Sequence, residues 1–286
     1  MNRRGSILVA VLAIAALLAV FVGVAAERLH VATAATRNAG EDIAADVAVE
    51  GAVELLFARS GGRFADLPPT SSIDLPGMRI EVRARDEAGR IDLNLAGADL
   101  LAGIFRVVGA DDRSARTYAQ VIVDRRTDPA APANRSRPPL VPPRGPFEHV
   151  REFETLAPIP RDIVRAVLPF VTVTGLGARV SPLVAPREVV AALPGMDPSR
   201  VEAFMAERIA AAGDFEKLVR RYGIVADHVS KEGSVATRLG LVLRIGSHRI
   251  RGYEVVVAVL PGDDEPYRFL AWNGNALPPG IREPNW

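Results

Sequence analysis

Cysteine is absent from the 286 residues, and histidine nearly so, with four copies at positions 30, 149, 228 and 248. The first absence excludes a disulfide scaffold, a thiolate metal site and a cysteine nucleophile. The second leaves little imidazole for acid–base chemistry. Neither sign of charge prevails: 35 Lys and Arg face 34 Asp and Glu, so the chain as a whole has no electrostatic footprint for nucleic acid. The glycine turns Ser60-Gly61-Gly62 and Gly175-Leu176-Gly177 lack the Lys and Ser/Thr of a phosphate loop. There is no G-x-S-x-G elbow either, which argues against a serine hydrolase. These absences fit a structural subunit better than an enzyme.

What is present is an apolar excess, 49% apolar residues against 24% charged, and much of it sits at one end. Ser6 to Ala26 is an uncharged run of 21 residues in which only Ser6 and Gly23 are not apolar. As a helix it spans about 32 Å, enough to cross a bilayer core. Behind it the composition falls to about 46% apolar, an ordinary globular value. Arg3 and Arg4 precede the run, so its N-terminus is expected in the cytoplasm and everything after Glu27 beyond the inner membrane.

Three readings compete for this segment. Val24-Ala25-Ala26 before Glu27 suits a secretory signal peptide. The run alone suits an uncleaved anchor. Arg3-Arg4-Gly5-Ser6, a short basic leader ending in Gly directly before the apolar stretch, resembles a type IV prepilin leader, cut between Gly5 and Ser6. Helical composition without proline continues from Glu27 to about Arg59, where Gly61-Gly62 stops it. Ile43, Val47, Gly51 and Leu55 recur at i+4 beside Val53 and Leu56, and are expected to form the apolar stripe. One helix over 6–59, membrane-spanning over 6–26, favours the prepilin reading.

The remainder alternates in kind. Residues 63–78, with Pro68, Pro69 and Pro76, read as a loop. Residues 78–85 and 90–96 alternate apolar and polar around the turn Asp86-Glu87-Ala88-Gly89, which predicts a hairpin. Residues 97–125, 147–168 and 186–225 carry helical pattern. Residues 127–146 hold seven prolines and read as a loop. Strands are expected again over 235–245, 249–260 and 267–272. Strands on both sides of a helical block imply one sheet with an inserted domain. The expected fold is therefore α+β: a long N-terminal helix packed on an antiparallel sheet (60–96 with 226–286), and a mostly helical domain inserted over 97–225.

In order and spacing these features resemble GspK, the large minor pseudopilin of type II secretion systems. The carriers are the Gly5/Ser6 boundary and Asp86-Glu87-Ala88-Gly89-Arg90-Ile91-Asp92-Leu93-Asn94, similar to the family's D-x-x-G-[hydrophobic]-N-L-N. Phe147 to Phe153, Leu168-Pro169-Phe170-Val171-Thr172-Val173 and Val190 to Gly195 follow in family order. Pilins usually carry a glutamate at the fifth mature position; here that place falls on Ala10, which suits a subunit at a filament end, where the neighbour such a carboxylate would pair with is missing. Two family patterns are replaced: Ser181-Pro182-Leu183-Val184-Ala185 stands for N-V-N-T-A, and Asp124 to Asp128 lacks the usual Trp.

The resemblance implies a non-catalytic subunit that caps the tip of the pseudopilus and helps start its assembly and protein export. Gly5 and Ser6 would be the cleavage and N-methylation site. Its implied partners are other minor pseudopilins, the prepilin peptidase and the inner-membrane secretion platform. Its implied location is the inner membrane, single-pass, with the C-terminal domain in the periplasm. No cofactor is expected. Calcium is the one alternative, since the family has calcium-binding members and Asp111, Asp112, Asp124 and Asp128 offer hard oxygens, though acids near helix ends also serve as caps. His228 and His248 read as surface residues, and Asp263-Asp264-Glu265 as a solvated turn.

A second reading of a different class rests on Ala192-Leu193-Pro194-Gly195-Met196-Asp197-Pro198-Ser199 and the helix after it, similar to half of a helix–hairpin–helix. With Arg200, Arg208, Lys217, Arg220 and Arg221 nearby, this predicts an anchored or secreted binding domain for nucleic acid. An anchored domain beyond the cytoplasm rarely meets DNA, so no nucleic acid is expected.

Overall fold

The computed structural model describes residues 40, 42–127, 146–210, 212–246, 249–260 and 262–274. The chain divides after Glu54 into two units. The first contributes the start of helix α1, described over 42–59. Ala45, Val49, Ala52, Val53 and Leu56 are its buried residues, a 3.6-residue stripe of mostly small side chains. The predicted stripe is corrected here. Ile43 and Val47 are 65% and 61% exposed, Gly51 is exposed and Leu55 half-buried, while Val53 and Leu56 are buried as expected. Two apolar stripes share this helix, and periodicity alone does not choose between them. Among the described residues no helix is long and apolar enough to cross a membrane. The segment 6–26, Ala10 and the Gly5/Ser6 boundary lie outside the described residues.

The second unit is α+β. Its sheet has five antiparallel strands in the order β1 (Thr70–Leu75), β2 (Met78–Asp86), β5 (Ala236–Ile245), β6 (Arg249–Ala258), β7 (Arg268–Gly274). Strands from before and after the helical block are direct neighbours: Ile80 faces Leu243 and Arg85 faces Arg238. One sheet face is apolar and buried, with Ile80, Val82, Leu239, Leu241, Leu243 and Val255. The opposite face carries Arg79, Glu81, Arg83 and Arg85 along β2, with Arg238 and Arg244 across on β5. Alternation along β2, and the apolar run Leu241-Val242-Leu243 in β5, make these strands readable in the sequence.

The hairpin predicted from 78–85 and 90–96 does not form. β2 turns back onto β1, through Pro76-Gly77 with Gly77 at φ 74°, inside the segment expected to be a loop. Pro pre-sets the first turn position and Gly supplies the positive φ. Residues 87–89 form a buried 3-10 turn, and the second expected strand shrinks to β3 (Ile91–Asp92). β3 pairs in parallel with β4 (Val171–Thr172). Ile91 and Leu93 are fully buried in the core of the helical head while Leu95 is 47% exposed. The alternation is real, but the partner is the head and not the strand next in sequence.

The head contains α2 (Ala98–Val107), α3 (Asp112–Thr127), α4 (Arg161–Val167), α5 (Arg187–Ala192), α6 (Pro198–Glu207) and α7 (Phe215–Arg221). Its core joins Leu100, Leu101, Ile104 and Phe105 of α2 to Ile122, Phe153, Val189, Val190 and Phe204. The helical pattern at 147–168 is mostly shorter than expected: a 3-10 turn at Val150–Thr155, then α4. Pro158 and Pro160 intervene, and neither can continue a helix interior.

Candidate functional site: the joint between sheet and head

The stretch Asp86 to Asn94 is where β2 leaves the sheet and the head begins, and nearly every polar residue in it makes a specific bond. Asp86 Oδ1 accepts from the Ala88 amide at 2.8 Å and the Ser234 amide at 2.9 Å. This ties the exit of β2 to the chain returning into β5. Gly233 lies so close that a Cβ there would overlap the Asp86 carboxylate, with Cγ at 3.3 Å. Asp92 accepts from the Asn94 amide and the Gly175 amide. Burial pushes the carboxyls of Asp86 and Asp92 above their usual value, while these amide bonds pull the other way.

Asn94 closes the joint. Its side-chain amide donates to the Phe147 carbonyl at 2.9 Å, and its carbonyl accepts from the Phe147 amide at 2.7 Å. This two-way bond spans 53 positions and fixes the chain where it re-enters the head after the proline-rich segment. Asn94→Ala leaves both Phe147 backbone groups without it. We expect a loss of about 2 kcal/mol in urea unfolding, with Asn94→Ser less affected; an unchanged midpoint for Asn94→Ala would remove this role.

Glu87 is the centre of the joint. It is fully buried. Arg238 of β5 grips it bidentately, Nε to Oε1 at 2.6 Å and Nη2 to Oε2 at 3.0 Å. Thr172 of β4 donates a very short bond to Oε2, and Thr174 adds one at 3.2 Å. Arg90 stands 3.8 Å away. Burial alone would raise the Glu87 carboxyl, but the bonds and charge of Arg238, with Arg90 and Thr172, hold it below the usual carboxylate range. Arg238 also pairs with Glu254 of β6. One carboxylate therefore connects β5, the joint and β4 of the head. Sequence reasoning placed Glu87 in the turn of a hairpin. Only its position inside the family-like motif marked it, because its main partner lies 151 positions away.

The other candidate residues are dispersed. Asp111 caps α3, accepting from the Arg113 and Ser114 amides at 3.0 Å and from the Ser114 hydroxyl; the Ser114 bonds hold its carboxyl below the usual value. Asp112 pairs with Arg106 and Arg116, and Asp124 accepts from Gln120. Asp128 lies outside the described residues. Among the described residues no group of acids and histidines is placed to hold a metal. Asp263, Asp264 and Glu265 sit in the loop before β7, where Asp263 and Glu265 pair with Arg268. His228 is half-buried beside Gly97, and His248 lies outside the described residues. His149 caps the turn at Val150–Thr155.

The hairpin-like stretch is a packed corner. Gly195 has φ 88°, and a Cβ there would come within 2.9 Å of the Gly223 carbonyl oxygen. Four of its five basic neighbours are engaged internally: Arg200 with Asp197 and the Gly195 carbonyl, Arg208 with the Pro182 carbonyl, Lys217 with Asp214 and Arg221 with Glu207, while Arg220 is exposed on α7. A turn that contacts its own head, and cations mostly already bound within it, offer little to a phosphate backbone.

With this arrangement in view, one solved structure is informative. A chain of the GspK-GspI-GspJ complex from the enterotoxigenic Escherichia coli type 2 secretion system superposes with a TM-score of 0.58. The match covers 84% of this chain and 99% of that one, at 11% identity. The likeness is one of fold: this chain is similar in architecture to a component of that complex. No protein-family model and no curated protein matches the sequence. The likeness is therefore carried by the fold and not by residue identity.

Proposed function

We propose that this protein is a GspK-type minor pseudopilin that caps the tip of a type II secretion pseudopilus, helps initiate its assembly and supports export across the outer membrane. The observation that carries the reading is the fold likeness over 84% of the chain to a component of the GspK-GspI-GspJ complex. The Gly5-Ser6 leader boundary and Ala10 at the fifth mature position support it from the sequence. The role is steric and hydrophobic. The apolar half of the N-terminal helix holds the subunit in the inner membrane or in the filament, and the large head stands where another subunit would add. Neighbouring minor pseudopilins are the proposed partners, and the prepilin peptidase acts at Gly5 and Ser6.

The open stripe of α1 suits this role. Ile43 and Val47 are largely exposed, and a Cβ added at Gly51 would meet nothing within 4 Å. An apolar face interrupted by glycine lets a second helix approach closely.

The mature N-terminus tests the proposal. Intact-mass analysis of protein from cells that carry the prepilin peptidase should give a chain that begins at Ser6 and bears an N-methyl group. A chain that begins at Glu27, or that retains Met1, would sink the tip-subunit reading and leave an anchored or secreted binding domain in its place.

A further inference from the structure

The arginine-bearing face of the sheet does not lie open to solvent throughout. Where it meets the turn at Val150–Thr155 and the segment around Leu168 and Pro169, it leaves a cleft of about 270 Å³. Arg83 and Arg85 of β2, Arg90 of the joint, Arg151 of the head and Arg238 of β5 line it, against two acids, Glu154 and Glu254. Val150, Leu168 and Pro169 supply an apolar wall.

Three observations separate this cleft from a solvated charged face. First, its cations exceed its anions, and the one further acid behind it, Glu87, is already saturated by Arg238, Thr172 and Thr174. Among the described residues, no carboxylate is within pairing distance of Arg83, Arg85 or Arg151. Second, Arg90 is largely withdrawn from water yet poorly matched. Its guanidinium is 3.8 Å from Glu87 and makes a long 3.5 Å bond to the Val171 carbonyl. Burial and then the neighbouring charge of Arg238 bring its pKa down to about 10. Third, the floor of the cleft is Gly240. It stands in the middle of a central strand, between Arg83 on β2 and Glu254 on β6. Glycine weakens a strand interior, and its use there suits a close approach by another molecule.

We propose that this cleft is a binding site for a phosphate-class oxyanion, either free or as the head of an ester whose organic part rests on Val150, Leu168 and Pro169. Planar guanidinium forks are matched to tetrahedral oxyanions and bind them with paired, charge-assisted bonds. Arg83 and Arg85, two positions apart on one strand, present their forks on the same side. Arg151 closes the site from the head. A bound anion would neutralise the cluster and bridge sheet to head. This inference stands apart from the secretion role and does not depend on it.

The test uses the full-length protein in non-ionic detergent, titrated calorimetrically with inorganic phosphate and with phenyl phosphate at constant ionic strength set by chloride. Saturable binding of phosphate over the chloride background is expected. The double variant Arg83→Ala/Arg85→Ala should weaken it by about a hundred-fold, at about ten-fold per charge-assisted contact. Both residues are exposed on the sheet, so the variant should keep its melting temperature without phosphate. Gly240→Val, which fills the floor and leaves every charge in place, should also abolish binding. Tighter binding of phenyl phosphate assigns the ligand to the esters, and equal or weaker binding assigns it to the free anion. The proposal fails if phosphate gives no heat beyond chloride, or if the arginine double variant and Gly240→Val both bind as the parent does.

Discussion

Glu87→Gln is expected to lower the melting temperature by about 10 °C at neutral pH. Gln keeps the size and one acceptor oxygen but removes the charge that faces Arg238 and Arg90. Removing one member of a buried ion pair costs about 3–5 kcal/mol, chiefly because the partner charge is left uncompensated. Arg238 retains Glu254, which places the loss near the lower end, about 3 kcal/mol. For a protein of this size each kcal/mol shifts the melting temperature by about 2–4 °C. A shift of only a degree or so would show that the joint is held by its apolar core, not by Glu87.

The same variant isolates a pH dependence. The folded protein holds the Glu87 carboxyl below its ordinary value of 4.5. Stability from a depressed carboxyl is complete above the ordinary value and is lost as pH falls through the folded one. The gap between parent and Glu87→Gln should therefore be constant around neutrality and close below about pH 4.5. Asp86 and Asp92 act in the opposite sense, because burial raises both: their charged forms cost stability once pH rises through the ordinary range. The parent's own profile mixes the three, so the difference between parent and variant is the quantity to measure, by thermal unfolding across pH 3–7.

Glu87 also marks the limit of what the sequence discloses. Strand β2 was legible because it buries one face, and β5, β6 and β7 because their alternating or β-branched runs between turns read as strand without knowing the partner. Helices α2 and α3 were legible through Leu100, Leu101, Ile104 and Ile122, all buried. β1 was not. Only Ile73 of its six residues is buried, and an edge strand with one anchor among prolines gives no period. Ile91 and Leu93 showed the right alternation but were assigned the wrong neighbour, since register with a partner 80 positions away leaves no local trace. In α1 two stripes of equal period competed, and the smaller residues are the buried ones. The candidate site was least legible of all. A motif located it, but the work of Asp86, Glu87 and Asn94 lies in contacts with Ser234, Arg238 and Phe147, which local reading cannot supply.

Gly103→Ala is expected to destabilise the head by about 3 kcal/mol, although helix propensity alone predicts the reverse. Gly103 sits in the interior of α2, where Ala would ordinarily gain about 1 kcal/mol. Here α5 crosses α2 at Gly103. A Cβ built on Gly103 would lie 2.8 Å from the Ala192 carbonyl carbon and overlap its oxygen. Both atoms belong to backbone, so no rotamer change relieves the contact and trimming Ala192 to Gly cannot rescue it. The helices must part, which opens the packing of Leu101, Ile104, Val189 and Val190, all buried in one core. Overpacking of this kind costs about 1–3 kcal/mol and occasionally more; a backbone obstacle and the offset of the propensity gain put the net loss near the upper value. Gly51 in α1 is the internal control. It too is a mid-helix glycine, but a Cβ there meets nothing within 4 Å, so Gly51→Ala should follow propensity and raise stability by about 1 kcal/mol. Urea unfolding of the two variants beside the parent separates the effects by sign. If Gly103→Ala and Gly51→Ala moved the midpoint in the same direction, the close approach of α2 and α5 would not be what fixes the head.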